Sequence, residues 1–250
     1  MNESKGQELL ELLPEQLNGP TFRDLAADLS RSYYWSPRFD PDFYRAQARA
    51  GFIAVAHRAP FGEVLLPELQ LAYAVLDWQH IHASHSTARL LRPDYLEAHD
   101  IRLERKRDSV SVCRVLDALD QNWGSASWLL PSYRALMENL AEEPSDSFAL
   151  EGSCLYCGSE LVAGELGYSI GRVYTSLSGF FRRDNRSWNG LGIVQLHLLA
   201  RELEQAGYAF WNLGHPYMQY KRDLGARILP RGEFLLRWQE AVDQSPVKNG

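Results

Sequence analysis

The fold is decided by Leu161-Val-Ala-Gly-Glu-Leu-Gly-Tyr-Ser-Ile-Gly-Arg-Val-Tyr174 and, shortly after it, Ser187-Trp-Asn-Gly-Leu-Gly192. The first stretch predicts a strand over residues 161–174 because it is rich in β-branched, aromatic and other apolar residues. The second stretch is a glycine-bearing loop, and the chain after it predicts an amphipathic helix over residues 193–205 and a strand over 208–213. This order places backbone N–H groups and a helix N-terminus beside two strand ends, where an anionic cofactor or a transferred acyl group can be held.

The composition is that of a folded protein with a sizeable core. The chain has 250 residues, of which 45% are apolar and 12% aromatic, enough for one large domain or two modest ones. The net charge of -6 argues against a generic nucleic-acid coat. The chain has only three cysteines, no apolar run near the roughly 20 residues of a membrane span, and no secretory signal. These features favour a cytoplasmic protein.

Helical and strand-like patterns alternate along the chain without long coil, which is typical of the α/β and α+β classes. Residues 1–77 predict a small N-terminal domain of helical and mixed character, and residues 78–250 predict the main domain. The strand patterns over 148–156 and 161–174 predict a hairpin that turns at Cys157-Gly-Ser159. Cys154-Leu-Tyr-Cys157 is a single CxxC beside this turn, and we interpret it as structural.

Gly190-Leu-Gly192 stands directly before the predicted helix. Glycines let a backbone approach a phosphate or a carbonyl oxygen closely, although the same pattern also occurs in plain strand-to-helix turns. The layout resembles the GNAT acyltransferase superfamily, whose phosphate loop has Arg or Gln, two residues, Gly, one residue, then Gly or Ala. Ser187 stands at the first of these places. The resemblance implies an α+β, GNAT-like fold and, as one alternative, acetyl-CoA or another acyl-CoA as cofactor.

A more extended resemblance runs from about residue 40 to residue 234. Five segments carry it, in order: Gln79-His-Ile-His-Ala-Ser-His-Ser86, Trp128-Leu-Leu-Pro131, Glu160-Leu-Val-Ala-Gly164, Ser178-Gly-Phe-Phe-Arg182, and Leu224-Gly-Ala226 with Pro230-Arg231. With these segments the chain resembles the leucyl/phenylalanyl-tRNA–protein transferases, a family built on the same superfamily fold. The resemblance implies transfer of an amino acid from aminoacyl-tRNA to a protein or peptide N-terminus, without a cofactor. The expected partners are those two substrates, and neither a membrane nor DNA.

Three positions depart from that family's pattern. Leu177 stands where the family has the Glu of Glu-Ser-Met-Phe, and Asn212 and Gly214 stand where it has Asp and Gln. The resemblance assigns those polar residues to positioning the aminoacyl ester and the incoming amine. Asn212 can donate and accept hydrogen bonds, but it cannot act as a base. We therefore expect catalysis by orientation and oxyanion stabilisation, with Asn212 and Ser178 as the catalytic candidates.

The expected substrate-binding residues surround the same strand ends. They are Trp128, Phe180, Leu177, Gly214, Gly190 and Gly192. Trp128 has a counterpart in the family's substrate pocket, and an aromatic ring there can also stack on a terminal adenine. Aromatic residues at such places are also common in ordinary cores, so that alternative stays open.

Basic residues suggest where RNA would bind. The expected RNA-binding residues are Arg182, Arg183, Arg186, Arg105 and Lys106, because lysines and arginines neutralise phosphates. The run from 102 to 107 is equally consistent with a solvated face. No metal is expected, because the spacing of His80, His82 and His85 is not a known zinc pattern.

Three hypotheses about function follow from these patterns. The first is an aminoacyltransferase that uses aminoacyl-tRNA. The second is an acyl-CoA-dependent N-acyltransferase, which the Gly190–Gly192 loop favours and Ser187 disfavours. The third is a catalytically silent relative that binds RNA or protein. The changes at Leu177, Asn212 and Gly214 favour the second and third hypotheses over the first.

Overall fold

The computed structural model describes residues 9–124, 128–143, 145 and 147–245. The helices within these residues are α1 (Gly19–Ala27), α2 (Pro41–Arg49), α3 (His85–Leu90), α4 (Pro93–Ala98), α5 (Ser109–Trp123), α6 (Pro131–Glu142), α7 (Leu191–Ala206), α8 (Gln219–Asp223) and α9 (Arg231–Val242). The strands are β1 (Ile53–Ala59), β2 (Gly62–Glu68), β3 (Ala72–Leu76), β4 (Ile101–Lys106), β5 (Ala149–Cys157), β6 (Glu160–Ile170), β7 (Val173–Phe181), β8 (Phe210–Gly214) and β9 (Arg227–Pro230). Helix and strand are thus both abundant, as the sequence predicts for an α+β protein.

Seven of the described strands form one mixed sheet in the order β4-β5-β6-β7-β8-β3-β9. Its neighbouring strands are antiparallel except for β7 and β8, which run parallel. The strands β1 and β2 form a separate antiparallel hairpin. The single parallel pair lies inside the sheet and joins β7 to the strand that follows α7, so the predicted strand–loop–helix–strand order is confirmed.

Helices cover both faces of the large sheet. Leu150 and Leu166 pack in a core shared with α5, α6 and α9. Leu155 and Ala163, whose side chains alternate to the other face, pack in a core shared with α7. The sheet is therefore the middle of three layers, and α7 is the helix that covers the face opposite α5 and α6.

Side-chain caps begin the helices α2 and α5. The Asp40 carboxylate accepts a hydrogen bond from the Phe43 backbone N–H at 2.8 Å, and Pro41 occupies the first helical position of α2. The Asp108 carboxylate accepts a bond from the Ser111 N–H at 2.7 Å at the start of α5. These caps satisfy backbone donors that a helix end leaves without partners.

The strand predicted over residues 161–174 is two strands. β6 ends at Ile170 and β7 begins at Val173, because the chain turns at Gly171, whose φ is +53°. A Cβ at this position would lie 2.6 Å from the backbone oxygens of Ala241 and Val242, so only glycine fits the turn. The turn makes β6 and β7 an antiparallel hairpin and brings the end of β7 back beside Gly164.

The N-terminal part of the chain is joined closely to the rest. A core cluster made by Leu12, Tyr34, Phe43 and Phe52 lies there, and Leu235 of α9 packs against it. The division into residues 1–77 and 78–250 stays a prediction. Its boundary falls after β3, and β3 lies in the large sheet between β8 and β9. None of the helices in the described residues is long and apolar enough to cross a membrane.

Candidate active site

The parallel strands β7 and β8 separate after a short shared register. Their pairing joins Val173–Thr175 to Phe210–Asn212, and beyond Thr175 the strand β7 continues beside β6. β8 meanwhile stays paired with β3 up to Gly214. We call the opening between the second half of β7, from Ser176, and the end of β8 the wedge. Beyond Thr175 these two central strands no longer pair with each other, and this split in the sheet is the candidate ligand site.

A bulge in β7 shapes the mouth of the wedge. Ser178 pairs with Leu166 and Ser176 pairs with Gly167, so Leu177 is an extra residue in the ladder. A bulge of this kind bends the strand and leaves the extra residue out of the regular pairing. A backbone N–H released from the ladder in this way can serve as a hydrogen-bond donor to an oxyanion.

Three buried or half-buried side chains form a hydrogen-bonded chain behind this bulge. The Trp211 indole Nε1–H donates to Ser176 Oγ at 2.8 Å, and the Ser176 hydroxyl donates to Glu165 Oε1 at 2.8 Å. Glu165 and Trp211 are buried, and Ser176 is half-buried. Burial raises the pKa of Glu165 to about 7, although the Ser176 hydrogen bond and the charge of Lys221 oppose this rise.

Lys221, on α8, is buried next to the end of β8. Its ammonium donates to the Leu213 carbonyl at 2.5 Å and to the His215 carbonyl at 2.7 Å. Burial lowers the pKa of Lys221 to about 8, while the charge of Glu165 acts in the opposite direction. Because this value still lies above neutral, the group is a cation at pH 7, and it brings a fixed positive charge to the wedge.

Asn212 lies at the predicted strand end, but both ends of its side chain are engaged locally. Its Oδ1 accepts from the Gly214 N–H at 2.9 Å, and its Nδ2 donates to Thr175 Oγ1 at 3.4 Å. The residue is buried. Donation to a reacting carbonyl would require the contact with Thr175 to break, so the catalytic role of Asn212 stays a prediction that this arrangement does not favour.

The other residues expected at the β7 end differ in their exposure. Ser178 is half-buried beyond the bulge, and Leu177 packs partly against the core shared with α5 and α6. Phe180 is buried in that core, and a Cβ at Gly164 would lie 2.8 Å from its ring. Gly214 closes β8 with φ of +70°. Phe180 is thus placed as a core residue, while Ser178 and Leu177 border the wedge.

Gly190 and Gly192 occupy the start of α7, which is two residues earlier than predicted. Gly190 is the N-cap residue, with φ of +87°, and Gly192 lies inside the first helical turn. A Cβ at Gly192 would lie 3.0 Å from Cγ of Phe181, the last residue of β7. The expectation that both glycines form a loop is therefore correct for Gly190 alone, and Gly192 instead allows α7 to pack on the end of β7.

Trp128 lies on the opposite face of the sheet from α7. It is half-buried, and its ring meets the edge of Tyr133 at a centroid distance of 5.2 Å. It packs against the same core cluster as Leu177. The predicted role in substrate binding is compatible with this position and stays a prediction.

The basic residues expected to bind RNA separate into two groups. Arg182, Arg183 and Arg186 lie between β7 and α7, where Arg183 and Arg186 are exposed. Arg182 pairs with Glu160 at 2.9 Å and with Asp184 at 2.6 Å. The segment that carries them follows the second half of β7, which forms one side of the wedge.

The second group, on β4, requires a correction. The Arg105 guanidinium is only 10% exposed and bonds Glu151 Oε2 at 2.5 Å. It does not form part of an exposed strip, because an external phosphate would have to displace a buried carboxylate. Lys106 is 55% exposed and points away from that cluster, as alternation along a strand requires.

Sequence reasoning missed Glu165, Ser176 and Trp211, and it assigned Lys221 to a basic RNA-binding strip and not to the end of β8. One signal was available for Glu165. A charged residue between Gly164 and Leu166, within an otherwise apolar strand, is rare unless it is paired or functional. Ser176 and Trp211 carry no comparable local signal.

The sequence model of the family described as "Acetyltransferase (GNAT) domain" matches residues 85–222, more than half of the chain. The chain belongs to this family, and the GNAT-like fold expected from the sequence is confirmed. The protein is therefore an acyltransferase by family. The matched range includes the wedge, the start of α7 and Lys221.

Among individual proteins, the chain is similar to a leucyl/phenylalanyl-tRNA–protein transferase of Pseudomonas aeruginosa, strain PAO1. The two are 28% identical over 173 residues, which span 69% of this chain and 70% of the relative. A structure of L-PGS from Bacillus licheniformis is 12% identical, with a TM-score of 0.42, over 88% of this chain and 76% of that one. The C-terminal DUF2156 domain of an Agrobacterium fabrum protein is 14% identical, with a TM-score of 0.42, over 76% of this chain and 56% of that one.

Proposed function

We propose that this protein transfers an amino acid from aminoacyl-tRNA to the N-terminal amine of a protein or peptide. Membership of the family supports acyl transfer, and the proposal adds the identity of the acyl donor, an aminoacyl-tRNA. An aminoacyl ester is already activated, so the protein has to orient an amine against its carbonyl and stabilise the oxyanion that forms. The wedge offers backbone N–H groups at the Leu177 bulge and the positive charge of Lys221 for that purpose.

The observation that carries the choice of donor lies at the start of α7. In a helix that binds acyl-CoA, the first-turn glycine leaves room for a pyrophosphate to approach the backbone. Here the space beside Gly192 is filled by the Phe181 side chain, whose Cγ and Cβ would lie 3.0 and 3.1 Å from a Cβ at that glycine. The glycine therefore serves helix–strand packing, which weakens the acyl-CoA alternative.

The surface next to the wedge suits an RNA donor. Arg182, Arg183 and Arg186 follow β7 directly, so they stand where the acceptor end of a tRNA would approach the wedge. Two of the three, Arg183 and Arg186, are exposed. An acidic protein with net charge -6 needs such a local basic group to hold a polyanion.

One observation favours acyl-CoA as a second candidate donor. Gly190 caps α7 without a side-chain hydrogen bond, so the first N–H groups of this 16-residue helix receive no side-chain cap from it. Helix N-termini of this kind attract anions, including the phosphates of acyl-CoA. The transfer assay therefore also includes acetyl-CoA as a donor.

The test is a transfer assay with the purified full-length chain. A tRNA pool charged with labelled amino acids is offered together with peptides that begin with different residues, and labelled acetyl-CoA is offered in parallel. We expect label from tRNA on the peptide N-terminus, and none on copies of the same peptides whose N-terminus is acetylated. Digestion of the tRNA before the reaction serves as the second control.

Transfer from acetyl-CoA alone would contradict the proposed donor and support the second candidate. Raising the salt concentration gives an independent check, since each duplex phosphate neutralised adds about -0.9 to the slope of log K against log salt. Binding of an aminoacyl-tRNA by several arginines predicts a steep slope. A slope near zero would contradict recognition of the tRNA backbone.

A further inference from the structure

The hydrogen-bonded chain behind the wedge has a fixed direction. An indole N–H can only donate, so Ser176 Oγ is the acceptor for Trp211 Nε1, 2.8 Å away. The proton of the Ser176 hydroxyl is then left for Glu165 Oε1, also 2.8 Å away. A serine oxygen has two lone pairs, and Trp211 uses one of them. The second lone pair can accept a proton from a third partner.

Ser176 is the least buried member of this hydrogen-bonded chain. It is half-buried, whereas Glu165 and Trp211 are buried. It follows Thr175, the last residue of β7 that pairs with β8, and it precedes the bulge at Leu177. The hydroxyl therefore lies where the two strands separate, with the carboxyl group directly behind it.

The groups around Glu165 leave it poised near neutral pH. Tyr174 faces it from β7, and Tyr220 and Lys221 face it from α8. Burial raises the pKa of the Glu165 carboxyl to about 7, with Ser176 and Lys221 acting against this rise. A carboxyl group with such a pKa can both take up and return a proton at the pH of a cell.

We propose that Ser176 and Glu165 form a proton relay that serves the amine nucleophile during acyl transfer in the wedge. This proposal rests on the proposed function for the nature of the reaction, but it holds for an ester or a thioester donor alike. The sequence does not assign a role to either residue, and neither belongs to the segments that carry the resemblance described above.

The relay carries one proton to Glu165 and later returns it. The amine nitrogen forms a bond to the acyl carbon while its proton passes to Ser176 Oγ and the hydroxyl proton of Ser176 passes to Glu165 Oε1. The tetrahedral intermediate then loses the bond between the acyl carbon and the leaving atom, which is oxygen in an ester and sulfur in a thioester. The proton on Glu165 returns through Ser176 to that atom, which departs as an alcohol or a thiol, and an amide remains.

The three residues have different roles in this scheme. Ser176 touches the amine and is the catalytic residue. Glu165 acts through Ser176, and Trp211 holds the Ser176 oxygen in the orientation that directs its proton to Glu165. Both are therefore positioning residues, and their replacement should lower kcat more than it raises KM.

The first experiment measures single-turnover transfer by the full-length chain as a function of pH. The wild-type rate should rise with pH as two groups lose their protons, Glu165 near pH 7 and the substrate amine at about pH 7.7–8.0. Glu165→Gln and Ser176→Ala should each slow transfer by roughly 10²- to 10⁴-fold, the usual contribution of general acid–base catalysis, and Glu165→Gln should leave only the titration of the substrate amine. Ser176→Thr keeps a hydroxyl and should recover a large part of the rate lost in Ser176→Ala.

Two variants control for effects on the fold. Ser169→Ala removes a buried hydroxyl from β6, on the same face as Glu165, and Glu240→Gln removes an exposed carboxylate from α9. Both should transfer at the wild-type rate. If Glu165→Gln also transfers at the wild-type rate with an unchanged pH profile, the relay is wrong.

A second measurement separates failure of the relay from failure of the proposed function. Isotope-edited infrared spectra of the resting protein, with Glu165→Gln as reference, report directly on the titration of this one carboxyl group. We expect a titration near pH 7, which moves upward in Ser176→Ala because a hydrogen bond to the carboxylate is lost. If no donor supports transfer, the proposed function fails, and a carboxyl that titrates in its ordinary range near 4.5 would then overturn the relay as well.

Discussion

Glu151 on β5 and Glu165 on β6 are both buried on the face of the sheet that α7 covers, yet their partners differ in kind. The Glu151 carboxylate bonds Arg105 at 2.5 Å and Arg107 at 3.0 Å, and it accepts a third bond from the Tyr208 hydroxyl at 3.1 Å. The hydrogen bond that Glu165 makes with Ser176 Oγ involves a neutral group, and its nearest cation, Lys221, is bound to two carbonyl oxygens.

The difference shows how one sheet can hold a structural carboxylate and a reactive one on neighbouring strands. Two guanidinium groups compensate the charge of Glu151. Burial alone would lower the pKa of Arg105, but the charge of Glu151 raises it. Glu165 has no such compensation, and its pKa rises to about 7. A buried carboxylate with a raised pKa and no full ion pair can exchange protons near neutral pH. The contrast therefore assigns a structural role to Glu151 and a reactive one to Glu165.

The largest effect on stability is expected from Glu151→Gln. This change puts a neutral amide where a fully buried carboxylate pairs with Arg105 and Arg107, whose side chains are 10% and 21% exposed, and leaves Arg105 with Glu202 at 3.5 Å. Removing one partner of a buried ion pair typically costs about 3–5 kcal/mol. We expect a loss of that size in the free energy of unfolding, measured with urea at pH 7. An unchanged midpoint would mean that water reaches this cluster and that the contrast with Glu165 is smaller than the structure implies.

Glu165→Gln should raise the free energy of unfolding, and this stabilisation should increase as the pH rises. The folded-state pKa of about 7 lies above the ordinary value of 4.5. Between these values the unfolded chain has released the proton that the folded chain still holds, so wild-type stability falls as pH rises through this window. The difference of about 2.5 pKa units corresponds to a stability change on the order of 3 kcal/mol.

The variant lacks this titration, so its advantage over the wild type should grow from pH 4.5 to 7 and then level off. Lys221 titrates above the window, since burial lowers its pKa only to about 8. Parallel urea denaturation of both proteins at several pH values measures the difference. A constant difference across the window would contradict the raised pKa and weaken the proposed relay.

Local signals in the sequence predict the frame of the site but not its chemistry. Gly190 is recognised because a helix begins directly after it, and the predicted helix differs from α7 by only two residues at its start. The relay residues come from three strands. Glu165 and Ser176 are 11 residues apart, and Ser176 and Trp211 are 35 apart. Their contact depends on the strand register and on the bulge at Leu177, neither of which a single sequence specifies.

The misplacement of Arg105 has a similar cause. The run from 102 to 107 is rich in charge, and charge density alone favours a solvated or RNA-binding face. The segment is in fact the edge strand β4, along which side chains alternate between the two faces of the sheet. Arg105 therefore points to Glu151, while Lys106 points to solvent. A period-two reading of this segment would have separated the two residues.

The smallest effect on stability, and a large effect on binding, is expected from the combined variant Arg182→Glu and Arg183→Glu. Arg182 is paired with Glu160 and Asp184 at the surface, and such exposed pairs contribute little because water screens them. We expect the thermal midpoint to stay within experimental error of the wild type, unlike Glu151→Gln. Binding of charged tRNA at low salt should nevertheless be lost, since two positive charges beside the wedge become negative.

Glu240→Gln on α9 is the control for an exposed charge far from this surface. Unchanged tRNA affinity with an unchanged salt slope would mean that the RNA does not contact Arg182 or Arg183. The basic residues after β7 would then no longer support aminoacyl-tRNA as the donor.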